Sequence, residues 1–92
     1  MKFRSTDGVV ESDAGFSVFD LDDDHIRYSA PRLSLTIPVE RPVQSVIIVR
    51  LSDLATWDPP SAEPLTDSDK CRLAYFLRQA FAFKGIQADF LF

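Results

Sequence analysis

The chain has 92 residues, 46% of them hydrophobic, and a formal net charge of −4. This composition predicts one folded domain over residues 1–92 and excludes intrinsic disorder, while the lack of a basic patch with interleaved aromatics argues against nucleic-acid binding. No run approaches the roughly 20 apolar residues that span a bilayer, and the charged N-terminus is not a signal peptide, so we expect a cytoplasmic protein without a membrane partner.

Short strand patterns separated by turn signals occupy the first third of the chain. Residues 2–4 and 9–10 are joined by Asp7-Gly8, a typical hairpin turn. A further strand begins at Phe16 and ends at Asp20. Residues 26–30 then alternate between apolar and polar, so the acidic run between these two strands is interpreted as the loop that joins them.

The middle of the chain predicts two more strands. Residues 33–39 alternate with a period of two, as expected for a sheet with one face in water. Glu40-Arg41-Pro42 is interpreted as a turn. Residues 43–51 follow, and the consecutive Val46, Ile47, Ile48 and Val49 indicate a strand that is central or covered on both faces.

A helix and a terminal strand complete the predicted fold. Thr66 and Asp69 have the spacing of a capping box, and Gly85 supplies a helix stop. Residues 86–92 alternate as a strand with its aromatic face inward. We therefore expect an α+β fold: an antiparallel β-meander of about five strands, one long C-terminal helix packed on one face and a final C-terminal strand. The apolar stripe predicted for the helix is Leu73, Phe76, Leu77, Ala80 and Phe81.

Acidic residues are concentrated near the N-terminus, where residues 5–24 include seven acids and no Lys or Arg. Asp20, Asp22 and Asp24 have the spacing of the first three ligands of an EF-hand calcium loop, but His25 and Pro31 stand where that loop needs Gly and Glu. Calcium binding is therefore disfavoured. The remaining interpretations are a solvated hairpin tip and an acidic contact surface for a basic partner.

The residues expected of a catalytic or metal site are scarce. His25 is the only histidine and Cys71 the only cysteine, and three glycines leave no phosphate-binding loop. A single cysteine forms no intramolecular disulfide, which fits a reducing compartment. We therefore expect no enzyme, no metal site and no cofactor.

Two aromatic side chains on the predicted helix fall outside its apolar stripe. Tyr75 lies roughly opposite the stripe and Phe83 lies at its edge. They either cover a second small cluster or contact a protein, because aromatic residues are enriched at interfaces. The protein in contact is then a partner or a second copy of the chain.

One motif bears on function as well as on local structure. Trp57-Asp58-Pro59-Pro60, then Glu63-Pro64-Leu65, a capped helix, Gly85-Ile86 and a terminal strand resemble the pattern of small immunity proteins of bacterial polymorphic toxin systems. The resemblance covers about residues 51–92. It implies an inhibitor that binds a cognate toxin and blocks the toxin's active site or an adjacent surface, and the acidic run would suit a basic toxin.

The same motif also has a purely physical interpretation. The two prolines favour an extended segment, and Trp57 anchors that segment on the core. The alternative function is a self-associating structural or regulatory module that pairs through an edge strand or through the outward aromatics of the helix. The candidate partner-binding residues are Asp20, Asp22, Asp23, Asp24, Trp57, Asp58, Glu63 and Tyr75.

Overall fold

The structure is a computed structural model that describes residues 1–92. It contains strands β1 (Phe3–Thr6), β2 (Val9–Ser12), β3 (Ser17–Asp22), β4 (His25–Ala30), β5 (Leu33–Val43) and β6 (Val46–Arg50), a 3₁₀ turn (Leu51–Asp53), helix α1 (Asp67–Phe83) and strand β7 (Gln87–Leu91).

All seven strands form one curled sheet in sequence order. Strands β1 to β6 pair as an antiparallel meander, and β7 lies parallel to β6, because the chain crosses over through α1 before it returns. The α+β class is confirmed. The sheet has more strands than the predicted meander of about five, and the first hairpin accounts for part of the difference because β1 and β2 pair over their whole length.

Two predicted turns lie inside strands instead. The ladder of β3 with β4 continues to the pair Asp22 and His25, so the turn contains only two residues and the acidic run is not a loop. The predicted turn at Glu40-Arg41-Pro42 belongs to β5, which ends at Val43. Its register with β6 shifts between Glu40 and Val43. Such an irregularity accommodates Pro42, which has no N–H for the ladder.

The core lies between the concave face of the sheet and α1, and every buried residue in it is hydrophobic. Alternate residues of each central strand point inward, which accounts for the period of two in the sequence. On the helix, Leu77 is fully buried, whereas Phe76 is only partly buried at the side of the stripe. The helix buries Leu73, Ala74, Leu77, Ala80 and Phe81.

The start and the end of α1 agree with the sequence prediction. The Thr66 side chain accepts a hydrogen bond from the Asp69 N–H at 3.1 Å, and the Asp69 carboxylate accepts one from the Thr66 N–H at 3.0 Å. The capping box is therefore complete. Gly85 follows the helix with φ +76°, a left-handed conformation that side chains with a Cβ rarely adopt. The helix is not long and apolar enough to cross a membrane.

The end of the chain differs from the expected inward aromatic face. Ala88 is buried and Phe90 is partly buried, with the Arg78 guanidinium 5.0 Å from the Phe90 ring centroid. Phe92, however, is 63% exposed. Strand β7 ends at Leu91, and Phe92 borders an open space with Asp67, Lys70 and Cys71 in the first turns of α1.

Loss of the helix cap is expected to destabilise the fold. Thr66→Ala removes the hydroxyl that accepts the Asp69 N–H, and we expect the free energy of unfolding to fall by about 1 kcal/mol in urea denaturation. Ser68→Ala is the matched control, since Ser68 is exposed and makes no side-chain hydrogen bond. Equal losses in both variants would contradict the capping role.

A cavity at the centre of the helix stripe is expected to be more damaging. Leu77 has 0% exposure, so Leu77→Ala should lower the free energy of unfolding by about 2 to 5 kcal/mol. Leu91→Ala, at a side chain that is 43% exposed, should lower it by less than about 1 kcal/mol. Chemical denaturation of both variants tests the position of the core.

Candidate functional site

The predicted partner-binding residues fall into separate regions of the molecule. The acidic residues surround the β3–β4 turn, where the Asp24 carbonyl accepts the Val39 N–H of β5. Asp58 lies beside the start of the same strand, with its N–H donating to the Ser34 carbonyl. Ser34 and Val39 are five positions apart on β5, which is roughly 16 Å along the strand. The structure therefore does not bring the two groups together.

The β3–β4 turn is held by its own side chains. The Asp22 carboxylate accepts the Asp24 N–H at 2.8 Å, and the same oxygen lies 3.0 Å from Nδ1 of His25. These contacts favour the charged carboxylate, and the Asp24 N–H, followed by His25, holds the pKa of Asp22 below its ordinary value of 3.8. The turn is thus a hydrogen-bonded structure that depends on an ionised Asp22.

Two arginines lie among the acidic residues, and sequence analysis did not identify their role. Arg41 contacts the Asp20 carboxylate at 2.8 Å and donates to the Asp23 carbonyl at 3.3 Å. Arg50 pairs with Glu40 at 3.1 Å and with Asp53 at 2.9 Å. The Arg41 contacts depend on the order of β3, β4 and β5, so no local pattern indicates them.

Two carboxylates remain available after this internal pairing. The side chains of Asp23 and Asp24 are exposed and form neither a hydrogen bond nor an ion pair. Leu21, beside them in the chain, is 45% exposed. We define the acidic end by this turn and its neighbours on β5 and the 3₁₀ turn. Its acids are Asp20, Asp22, Asp23, Asp24, Glu40 and Asp53.

Trp57 and its neighbours lie at the start of α1. The Trp57 ring is 7% exposed and lies 6.2 Å from the Tyr28 ring, which fits the anchoring role. Asp58 accepts the Thr36 hydroxyl at 2.9 Å. The Glu63 side chain is exposed, and its carbonyl accepts the Trp57 N–H at 2.9 Å. The Pro59–Pro60 peptide bond is cis.

A cavity of about 80 Å³ lies between Trp57, Tyr28 and the first turns of α1. Burial raises the pKa of Tyr28, and the charge of Arg72 opposes this shift. The Thr66 N–H holds the pKa of Asp69 below its ordinary value. Both effects arise from packing and capping, and the space has the size of a few water molecules.

Tyr75 belongs to a line of aromatic rings between α1 and the N-terminal hairpin. Its side chain is 54% exposed and lies 6.0 Å from the Phe76 ring. Phe76 stacks on Phe16 at 4.7 Å, and Phe3 connects Phe16 to Phe83, which is 48% exposed. The rings therefore join an aromatic cluster, as the first interpretation expects, and their exposed parts leave the contact with another protein a prediction.

The remaining side chains that could take part in chemistry lie apart. No three His, Cys, Asp or Glu side chains are placed to hold a metal ion. Cys71 is exposed on α1, whereas His25 lies at the acidic end beside Asp22. These exposed side chains offer surfaces for contact with another molecule.

Comparison of the chain with protein-family models, with curated proteins and with solved structures found no match.

A titration of the carboxyl groups should detect the hydrogen bonds of the β3–β4 turn. In ¹³C NMR we expect Asp22 to titrate with a midpoint below 3.8, because the Asp24 N–H stabilises its charged form. The resulting contribution to stability is complete above the ordinary pKa and is lost as the pH falls through the lowered one. His25→Ala should leave part of the lowering in place, because the Asp24 N–H is its largest single cause. A midpoint at or above the ordinary value would contradict this turn.

Proposed function

We propose that the protein is an immunity protein of a bacterial polymorphic toxin system, which binds a cognate toxin domain in the cytoplasm and neutralises it by contact. The proposal is supported by Trp57-Asp58-Pro59-Pro60 with its capped helix, on which the resemblance rests. Occupation of the toxin's active site or an adjacent surface is enough for inhibition. The proposed mechanism therefore uses neither catalysis nor a cofactor.

The observation that carries the mechanism is the pair of free carboxylates at the acidic end. Asp23 and Asp24 project from a hydrogen-bonded turn and have no internal cation to neutralise them. Such a surface fits lysine and arginine side chains of a basic toxin. Complementary charge of this kind raises the association rate and the specificity of a complex, and its effect weakens with salt.

A second function is supported by a different observation. Tyr75 and Phe83 leave apolar surface exposed on α1, and strands β1 and β7 each have one unpaired edge. A self-associating module would use one of these features. Sedimentation of the purified chain separates the proposals: a tight homodimer without a partner favours the module, and a monomer favours the immunity protein.

The immunity proposal is tested by capture, identification and reconstitution. The tagged protein is incubated with lysate of its source bacterium at low and at high salt, and a retained protein is identified by mass spectrometry. We expect a protein whose isolated domain stops growth when expressed alone and permits growth when co-expressed with this chain. A captured protein that is harmless when expressed alone would contradict the proposal.

The acidic end is tested with the purified toxin domain. We expect Asp23→Lys together with Asp24→Lys to slow association at least about tenfold at low salt and to reduce the salt dependence of the rate. The control, Asp13→Lys with Asp67→Lys, makes the same change in net charge at two exposed positions, in the β2–β3 turn and at the start of α1, away from the acidic end. Unchanged kinetics in the first variant would rule out the acidic end as the contact.

A further inference from the structure

A second polar feature lies on the convex face of the sheet, where β4 turns into β5. It is an open cleft of about 290 Å³ lined by residues 29–34 and 58–60. Ser29 and Ser34 face each other across the two strands. Asp58 and the two prolines after it approach from the connection to α1. Hydroxyl, guanidinium and carboxylate groups thus border one space.

Two arginines have no carboxylate partner here, one that lines the cleft and one beside it that contacts a lining serine. Arg27 is two residues before Ser29 on the same face of β4, and its Nη2 donates to the Ser34 hydroxyl at 3.2 Å. Arg32 lies in the turn and lines the cleft directly. Neither forms an ion pair. The ion pairs of the structure use Arg4, His25, Arg41 and Arg50. Free guanidinium groups beside hydroxyl donors favour an oxyanion, because they donate several hydrogen bonds in a fixed plane.

Asp58 sets a further requirement on the anion. Its Oδ2 accepts the Thr36 hydroxyl at 2.9 Å, while its Oδ1 makes no hydrogen bond. A carboxylate only accepts hydrogen bonds, so it repels an anion that carries no proton and binds one that offers an O–H. An anion suited to this cleft therefore has acceptor oxygens for Arg27 and Arg32 and one hydroxyl for Asp58.

We propose that this cleft binds hydrogenphosphate, with Arg27, Arg32 and the Ser29 and Ser34 hydroxyls as donors and Asp58 as the acceptor of its proton. Sulfate has nearly the same shape and charge but carries no proton at neutral pH. The site therefore discriminates between the two anions through Asp58. This inference concerns free phosphate and does not depend on the proposed toxin contact.

The test is a titration of the ¹⁵N-labelled full chain with sodium phosphate at neutral pH, with ionic strength held constant by chloride. We expect saturable shifts at Ser29, Arg32, Ser34 and Asp58. Sulfate should bind at least about threefold more weakly. Equal responses to phosphate and sulfate, or shifts that chloride alone reproduces, would overturn the proposal.

Two variants test the assigned roles. Arg32→Gln, at an exposed turn, should weaken phosphate binding about three- to tenfold, whereas Arg78→Gln removes the same charge from α1 and should leave the binding unchanged. Asp58→Asn preserves an acceptor for Thr36 and replaces the carboxylate with an amide donor. It should therefore strengthen sulfate binding relative to phosphate. Discrimination between the anions that survives in Asp58→Asn would contradict the role of this carboxylate.

Discussion

The packing of α1 on the concave face of the sheet is the constraint on which the remaining structure depends. The concave face is entirely apolar, and without the helix Ile37, Ile47 and their neighbours would lie in water. The stripe centred on Leu77 covers them. The chain therefore has to return from the end of β6 to the start of the helix, and residues 54–65 make this connection along the side of β5, with Trp57 packed against Tyr28.

Features that depend on neighbouring residues could be predicted from the sequence. The capping box of Thr66 and Asp69, the stop at Gly85 and the apolar stripe each involve residues a few positions apart. The structure contains them, except that Ala74 is buried in the stripe where Phe76 was predicted. Alternation likewise predicted the inward face of β4 and most of β5, because side chains of a strand point to opposite faces.

Features that depend on the order of the strands could not be predicted. The pairing of Arg41 with Asp20 needs three adjacent strands in a defined register, and this pairing explains why Asp20 differs from Asp23 and Asp24. Pro42 suggested a turn, because a proline usually ends the hydrogen-bonded ladder of a strand. In the structure the shift in register between β5 and β6 accommodates it. The cleft beside Asp58 was missed for the same reason, since it combines a strand pair with a distant connection.

The filled concave face also determines where polar chemistry is found. Every buried side chain is hydrophobic, so charged groups lie at the ends of the sheet, on its convex face and on the outer side of α1. The acidic end and the cleft are separated by roughly 16 Å of β5.

The parallel ladder of β6 and β7 has a consequence for the time course of folding. The hairpins of the meander join residues close in the chain and form with small loops, whereas Val46 and Gln87 are about 40 positions apart. Non-local pairings have a larger entropic barrier than hairpins. The hairpins of the meander can form early. Strand β7 can pair with β6 only after α1 connects them, so we expect this pairing to be the slowest step of folding.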